Sequence, residues 1–139
     1  MSKSYELKAE ARAKAKIETC LAQDYPADRM RVVVACDGST DSTHDVVRAY
    51  GGRGVTLLPF AERRGKAACL NDAVAACDED ILVFTDARQM LNREAVSCLV
   101  ETLADPAVGA VSGELVFEVE GASSFGQGVD AYWRYEKFI

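Results

Sequence analysis

The sequence predicts an α/β fold, a mostly parallel sheet with flanking helices. Short β-branched runs alternate with helix-length segments, and no strand-to-strand spacing is short enough for a hairpin. Two polar clusters, Asp37-Gly38-Ser39 and Asp86-Ala87-Arg88, each follow an apolar strand directly. In an open parallel sheet the ligand site lies at the carboxyl ends of the strands, so both clusters fall where function is expected.

The first element is a helix from Tyr5 to about Leu21, dense in Ala, Lys, Glu and Arg, with Glu10 and Lys14 spaced as an i,i+4 pair. Asp24-Tyr25-Pro26 ends it. Arg31–Cys36 reads as a strand buried on both faces, because it is apolar throughout instead of alternating. Asp37–Ser42 is a turn cluster leading into a helix to about Tyr50, with Ser42 and Asp45 at capping-box spacing and Gly51-Gly52 as its stop. Val55–Leu58 is a second strand halted by Pro59, and Gly51–Gly54 is a turn. The charged loop Glu62–Lys66 opens a helix to about Cys77, and Ile81–Thr85 is a third strand. A helix from about Arg93 to Leu103 and a strand at Val108–Ser112 follow. Gly121–Ser124 is a loop, and Val129–Ile139 carries Tyr132, Trp133, Tyr135 and Phe138, enough aromatic surface to dock elsewhere.

The chain has 139 residues, the length of a single domain, and 49% apolar with 27% charged residues is a globular balance that excludes disorder. A net charge of −6 argues against nucleic acid as a partner. No apolar run is long enough to span a bilayer and no signal-peptide core is present, so a soluble, cytoplasmic chain is expected. Five cysteines without a CxxC pair, and His44 as the only histidine, point to buried free thiols in a reducing compartment and away from structural zinc.

The Asp-Gly-Ser turn offers a carboxylate acceptor beside backbone donors, although such residues also serve ordinary strand-to-helix turns. Asp86 can hold a sugar hydroxyl or a cation through oxygen, or can simply be a turn residue. Lys66 follows Gly65 at a helix start, where an ammonium and helix amides together suit a diphosphate; its ordinary reading is a solvated lysine. Arg63 and Arg64 add local positive charge, and loop arginines are commonly only solvated.

In order along the chain, Asp24-Tyr25-Pro26, then Val33–Thr43 with its Asp37-Gly38-Ser39-Thr40-Asp41-Ser42-Thr43, Gly65-Lys66-Ala67-Ala68-Cys69-Leu70-Asn71, Ile81–Ala87 and Asp105–Gly113 resemble glycosyltransferase family 2. These are its DYP, DGSTDGT, GKxxALN, DAD and DPxVGAVSG stretches. The family comprises inverting, nucleotide-sugar-dependent enzymes of GT-A (Rossmann-like) fold. The resemblance implies that Asp37 contacts the nucleotide base, with Gly38 and Ser39 beside it, that Lys66 lies near the diphosphate, and that Asp86 meets ribose or metal. Arg88 stands where the family has its last DxD aspartate, a usual ligand of Mg or Mn. A guanidinium cannot ligate a cation, so the metal requirement stays open, and Arg88 is assigned to the diphosphate instead.

The family's first strand, with its PAYNE-like motif, has no counterpart here, so the first, central strand is expected to be missing. The ED-type general base is expected beyond Ile139, which leaves no catalytic residue in this chain; Glu114 and Glu118 do not sit in that motif. The chain is thus expected to be an internal piece, the donor-binding half, of a larger enzyme. Its parent would move a sugar from a nucleotide-diphosphate sugar, a UDP-sugar first, to an acceptor glycan or lipid at the cytoplasmic membrane face. The rival is a non-catalytic sugar-nucleotide-binding or assembly module. A missing central strand leaves open edges, from which either a homodimer or direct pairing of Arg31–Cys36 with Asp80–Thr85 is expected.

Overall fold

A computed structural model of the chain describes residues 9–116. Tyr5–Lys8 of the expected first helix, Glu118, the loop at Gly121–Ser124 and the aromatic stretch Val129–Ile139 lie outside them. Helix α1 (Ala9–Leu21) leads through a short 3-10 turn to strand β1 (Val32–Asp37). Helix α2 (Thr43–Arg48) and a 3-10 turn at Gly51–Arg53 then cross over to strand β2 (Val55–Phe60), and helices α3 (Lys66–Ala75) and α4 (Ala95–Leu103) follow.

β1 and β2 pair in parallel, with Val32 opposite Val55 and Asp37 opposite Phe60. The expectation of a parallel sheet with flanking helices therefore holds. β2 runs through Pro59 instead of stopping before it. Gly54 and Phe60 both turn their carbonyls to β1, accepting from Val32 and Gly38. Residues alternate along a strand, so Pro59 faces the outer edge, where its lack of an N–H breaks no ladder bond.

The core lies between this sheet and two helices. Ile17 and Cys20 of α1 are buried, as are Cys36 of β1, Val47 and Tyr50 around α2, and Val55 of β2. The spacing of Thr43, Val47 and Tyr50, one helical turn apart each time, is what places them on one face. β1 itself is mostly half-buried, with Cys36 alone fully buried, so the expected two-sided burial is not reached. Tyr50 closes the cluster by donating to Glu18 Oε1 at 2.7 Å, and Arg53 pairs with the same carboxylate at 3.1 Å. Glu18 takes the α1 ion pair that the spacing had suggested for Glu10 and Lys14; these two form none.

Other local expectations are corrected. Ser42 is the N-cap of α2 but makes no side-chain cap bond, and Asp45 pairs with Arg48. The capping role passes to Asp41, whose Oδ1 accepts the Thr43 N–H at 3.1 Å, a side-chain turn that starts one residue earlier. α2 ends at Arg48 and α3 at Ala75, both short of the expected Tyr50 and Cys77. Gly54, with φ of 79°, is the left-handed residue that lets the Gly51–Arg53 turn enter β2. Cysteines 20, 36 and 69 are buried, whereas Cys77 is half-buried and Cys98 exposed, and all five are free thiols.

The largest correction concerns the third and fourth strands. Among the described residues, neither Ile81–Thr85 nor Val108–Ser112 joins a ladder, and the sheet has two strands. Apolar β-branched sequence favours an extended chain, yet a strand exists only beside a partner that takes its N–H and C=O groups. Among the described residues β1 pairs with β2 and with no other strand, so the direct pairing of Arg31–Cys36 with Asp80–Thr85 does not form. Ile81, Val83 and Phe84 are accordingly exposed.

Ile17 is 2% exposed and touches the centre of this core. Ile17→Ala is expected to lower unfolding free energy by about 2–5 kcal/mol in urea denaturation; a loss below about 1 kcal/mol would show that α1 does not pack as described.

Candidate functional site

The site is built from three loops at the carboxyl end of the sheet. β1 ends in Asp37, and the chain turns at Gly38 with φ of 65°, a conformation natural to glycine. A Cβ at Gly38 would lie 2.8 Å from the Arg63 backbone nitrogen. The β2–α3 loop therefore rests directly on the Asp37-Gly38 peptide, and glycine is required there for two independent reasons.

Asp37 holds that loop. Its Oδ1 accepts the Arg64 N–H at 2.7 Å and its Oδ2 accepts the Gly65 N–H at 2.9 Å. These backbone donors, with Arg64's first, hold the carboxyl below its ordinary pKa despite some desolvation. An ionised carboxylate has about four acceptor positions, more than the two backbone donors and the Cys69 thiol beside them use, so acceptor capacity remains for an outside donor. The Arg64 side chain pairs with Asp72 of α3 and lies over the Phe60 ring, 4.0 Å from its centroid. It is a structural brace, not the solvated loop arginine its sequence context suggests. Cys69, buried beneath, has its thiol pushed up by burial first and by Asp37 next.

Gly65, with φ of 90°, caps α3, and Lys66 is the first residue of that helix. Lys66 Nζ donates to Asp86 Oδ1 at 2.8 Å, joining the start of α3 to the turn after Ile81–Thr85. Both side chains are more than half exposed, at 70% and 52%. An exposed pair of this kind is worth about 0–1 kcal/mol, so an arriving diphosphate can take the ammonium at little cost. Asp37, Gly38, Lys66 and Asp86 are thus linked through consecutive contacts. Ser39 is half-buried next to them, beside the Cys36 thiol, whose pKa is raised by burial and then by Asp41. Arg88 is exposed on the Asp86 turn and makes no hydrogen bond or ion pair among the described residues.

Sequence reasoning missed the residues that hold the third loop. Lys16 of α1, 8% exposed, donates to Thr85 Oγ1 at 2.7 Å and to the Gln89 carbonyl. Gln23 is also buried and donates to the carbonyls of Thr19 and Asn92, while its Oε1 accepts the Val96 N–H at 3.0 Å. One signal for Lys16 was available: it stands four residues before buried Cys20 and next to Ile17, on the helix face that is otherwise apolar.

A resident divalent cation needs several oxygen donors around one point. Asp86 is a single carboxylate already facing an ammonium, its neighbour two residues on is Arg88, and no three His, Cys, Asp or Glu side chains among the described residues converge as a metal site. These residues do not by themselves fit a resident Mg or Mn ion.

The parallel α/β layer with its loops gathered at the strand ends is of the GT-A type, as its likeness to a solved glycosyltransferase shows. The solved mannosyltransferase PcManGT from Pyrobaculum calidifontis, in complex with GDP-Man and Mn2+, matches with a TM-score of 0.69 and 36% identity, over 75% of this chain and 32% of that one. The family model for glycosyl transferase family 2 matches residues 7–136, and the chain belongs to that family. An N-acetylglucosaminyltransferase of Rhizobium meliloti is 33% identical over 127 residues, covering 84% of this chain and 29% of the relative. One of Azorhizobium caulinodans is 28% identical over 121 residues, covering 84% and 30%. The chain thus spans about a third of the length of each of these three proteins.

Two outcomes test the loop clamp. Gly38→Ala must both strain φ and displace Arg63, and is expected to lower stability by about 1–3 kcal/mol in thermal unfolding; an unchanged melting temperature would contradict the close approach. Because Asp37 has a lower pKa folded than unfolded, its contribution is complete above the unfolded value of about 3.9 and is lost as pH falls through the folded one. The stability gap between the protein and Asp37→Asn should narrow as melts are taken from pH 7 down to pH 3. A gap that stays constant would mean that the charge does not hold the loop.

Proposed function

We propose that this chain forms the donor-binding part of a transferase that moves a sugar from a nucleotide-diphosphate sugar to an acceptor hydroxyl with inversion, in polysaccharide or glycolipid synthesis. The observation that carries the reading is the chain of contacts from Asp37 through the Arg64-Gly65 amides to Lys66 and Asp86, which gathers three loops at one end of the sheet. Family membership and the nucleotide-sugar complex of the structural neighbour support it.

Ionised Asp37 keeps acceptor positions for a base N–H, which both uracil and guanine offer, so a UDP-sugar and a GDP-sugar are both donors this carboxylate could read. Asp86 accepts from a ribose hydroxyl. Lys66, released from Asp86, and Arg88, with its free planar fork, offset the charge that grows on the leaving diphosphate. Gly38 and Ser39 shape the turn against which the nucleoside lies. Deprotonation of the acceptor hydroxyl requires a carboxylate that none of these residues supplies. The parent enzyme acts at the cytoplasmic face of a membrane in this reading, and the edge of β1 away from β2, which carries no strand among the described residues, allows a homodimer.

A non-catalytic sugar-nucleotide-binding module is the second reading, favoured by Arg88 where a metal-ligating carboxylate would serve catalysis. Sugar transfer by a longer form of the protein to any acceptor would exclude it.

Amide NMR titration with UDP, GDP, UDP-N-acetylglucosamine and GDP-mannose, each with and without Mn2+, tests the site. Shifts are expected at residues 37–39, 63–66 and 86–89, and Lys66→Met should weaken nucleotide diphosphate binding about tenfold, the loss of one charge-assisted contact. A well-dispersed spectrum that none of the four ligands moves would overturn the donor-site reading.

A further inference from the structure

We propose that Lys16 is a positioning residue for the diphosphate side of the donor site, holding from α1 the turn that carries Asp86 and Arg88. The inference rests on the donor-binding reading above and adds a residue to it.

The Asp86–Gln89 turn is closed by its own bonds, Gln89 N–H to the Asp86 carbonyl at 3.1 Å and Asp86 N–H to Gln89 Oε1 at 3.3 Å. Among the described residues, the exposed Lys66–Asp86 pair is the turn's own tie to the rest of the fold, and an exposed pair of that kind is a weak one. Asp37 sits at the end of a strand whose ladder fixes it, whereas Ile81–Asp86 has no ladder among the described residues. Its anchorage comes from elsewhere. Lys16 Nζ donates to Thr85 Oγ1, immediately before Asp86, and to the Gln89 carbonyl, immediately after Arg88. One ammonium thus grips both ends of the segment that carries the two site residues.

The grip is strict because the ammonium is buried. A charge taken out of water needs polar partners, and Thr85 and Gln89 provide two of the three that a lysine can use. Burial lowers the Lys16 pKa, opposed by the charges of Cys20 and then of Asp86. The Asp86 carboxylate therefore lies within the field of Lys16 as well as in contact with Lys66. Gln23 fixes the following stretch in the same manner, through Asn92 and Val96. α1 and the turn that follows it are consequently the template for the 85–96 segment, and Lys16 is the part that holds the Asp86–Gln89 turn.

UDP and GDP are titrated into the chain and into Lys16→Met, Lys16→Arg and Tyr50→Phe, with amide spectra recorded before and during titration. Lys16→Met is expected to move the Ala87–Gln89 amides before any ligand is added, to leave those of β1 and β2 in place, and to weaken binding about tenfold, the usual scale for a residue that orients site ligands. Lys16→Arg, which keeps charge and donors, should recover most of that loss. Tyr50→Phe loosens α1 from α2 away from the turn and should stay within about twofold of the parent affinity. A folded Lys16→Met that binds like the parent, or a Lys16→Arg as weak as the methionine variant, would overturn the proposal. If Lys16→Met does not fold, Thr85→Val removes one of the two acceptors and carries the same test: weakened binding supports the assignment, and unchanged binding overturns it. A parent chain that binds neither nucleotide is a failure of the donor-site reading, whereas Ala87–Gln89 amides that Lys16→Met leaves unmoved are a failure of the Lys16 grip.

Discussion

Two backbone N–H groups donated to one carboxylate organise the upper end of this molecule. Asp37 is the last residue of β1, and by accepting from Arg64 and Gly65 it fastens the entrance of α3 onto the end of the sheet. Lys66 follows Gly65 directly, so its position is inherited from that clamp, and through Lys66 so is the contact with Asp86. The close approach of Arg63 to Gly38 and the brace from Arg64 to Asp72 and Phe60 depend on the same seating. A carboxylate that binds two peptide donors also stays ionised, so the fastening and the capacity to accept from a ligand are one property.

The lower part of the fold is organised differently. α1 lays Ile17 into the apolar core with Val47, Tyr50 and Val55, while Lys16 of the same helix and Gln23 just beyond its end are buried polar groups directed to the 85–96 segment. Apolar contact supplies cohesion there, while the polar groups supply register, since each must find a specific oxygen or N–H when removed from water. A two-stranded sheet has few ladder bonds with which to place distant loops, and in this protein a lysine and a glutamine take over that task for the third one.

The candidate site sets two carboxylates, Asp37 and Asp86, beside two cations, Lys66 and Arg88. The exposed Lys66–Asp86 pair is weak enough to exchange partners. On the proposed reading the carboxylates accept from a nucleoside and the cations take up its diphosphate, and Arg88, a guanidinium on the Asp86 turn, favours direct binding of an anion there over binding of a dication.

Much of this was legible in the chain. The unbroken apolar runs at β1 and β2, the glycines at 38 and 65, and polar clusters placed just after apolar runs are local patterns, and the physics that makes strands, left-handed turns and helix starts acts over a few residues. The family resemblance came from such segments too, taken in their order along the chain. Tertiary structure alone decided the rest, because it depends on pairs far apart in sequence. Ile81–Thr85 has the composition of a strand, but a ladder needs a neighbour. Arg64 looks like any loop arginine until Asp72 and Phe60 are beside it. Lys16 looks like one more helix-forming lysine until packing buries it against Thr85 and Gln89, whose oxygens it must use. The sequence by itself determined which residues could bind and where strands and helices could start; only the folded chain determined which of them meet, since burial and long-range pairing decide which charges must be matched.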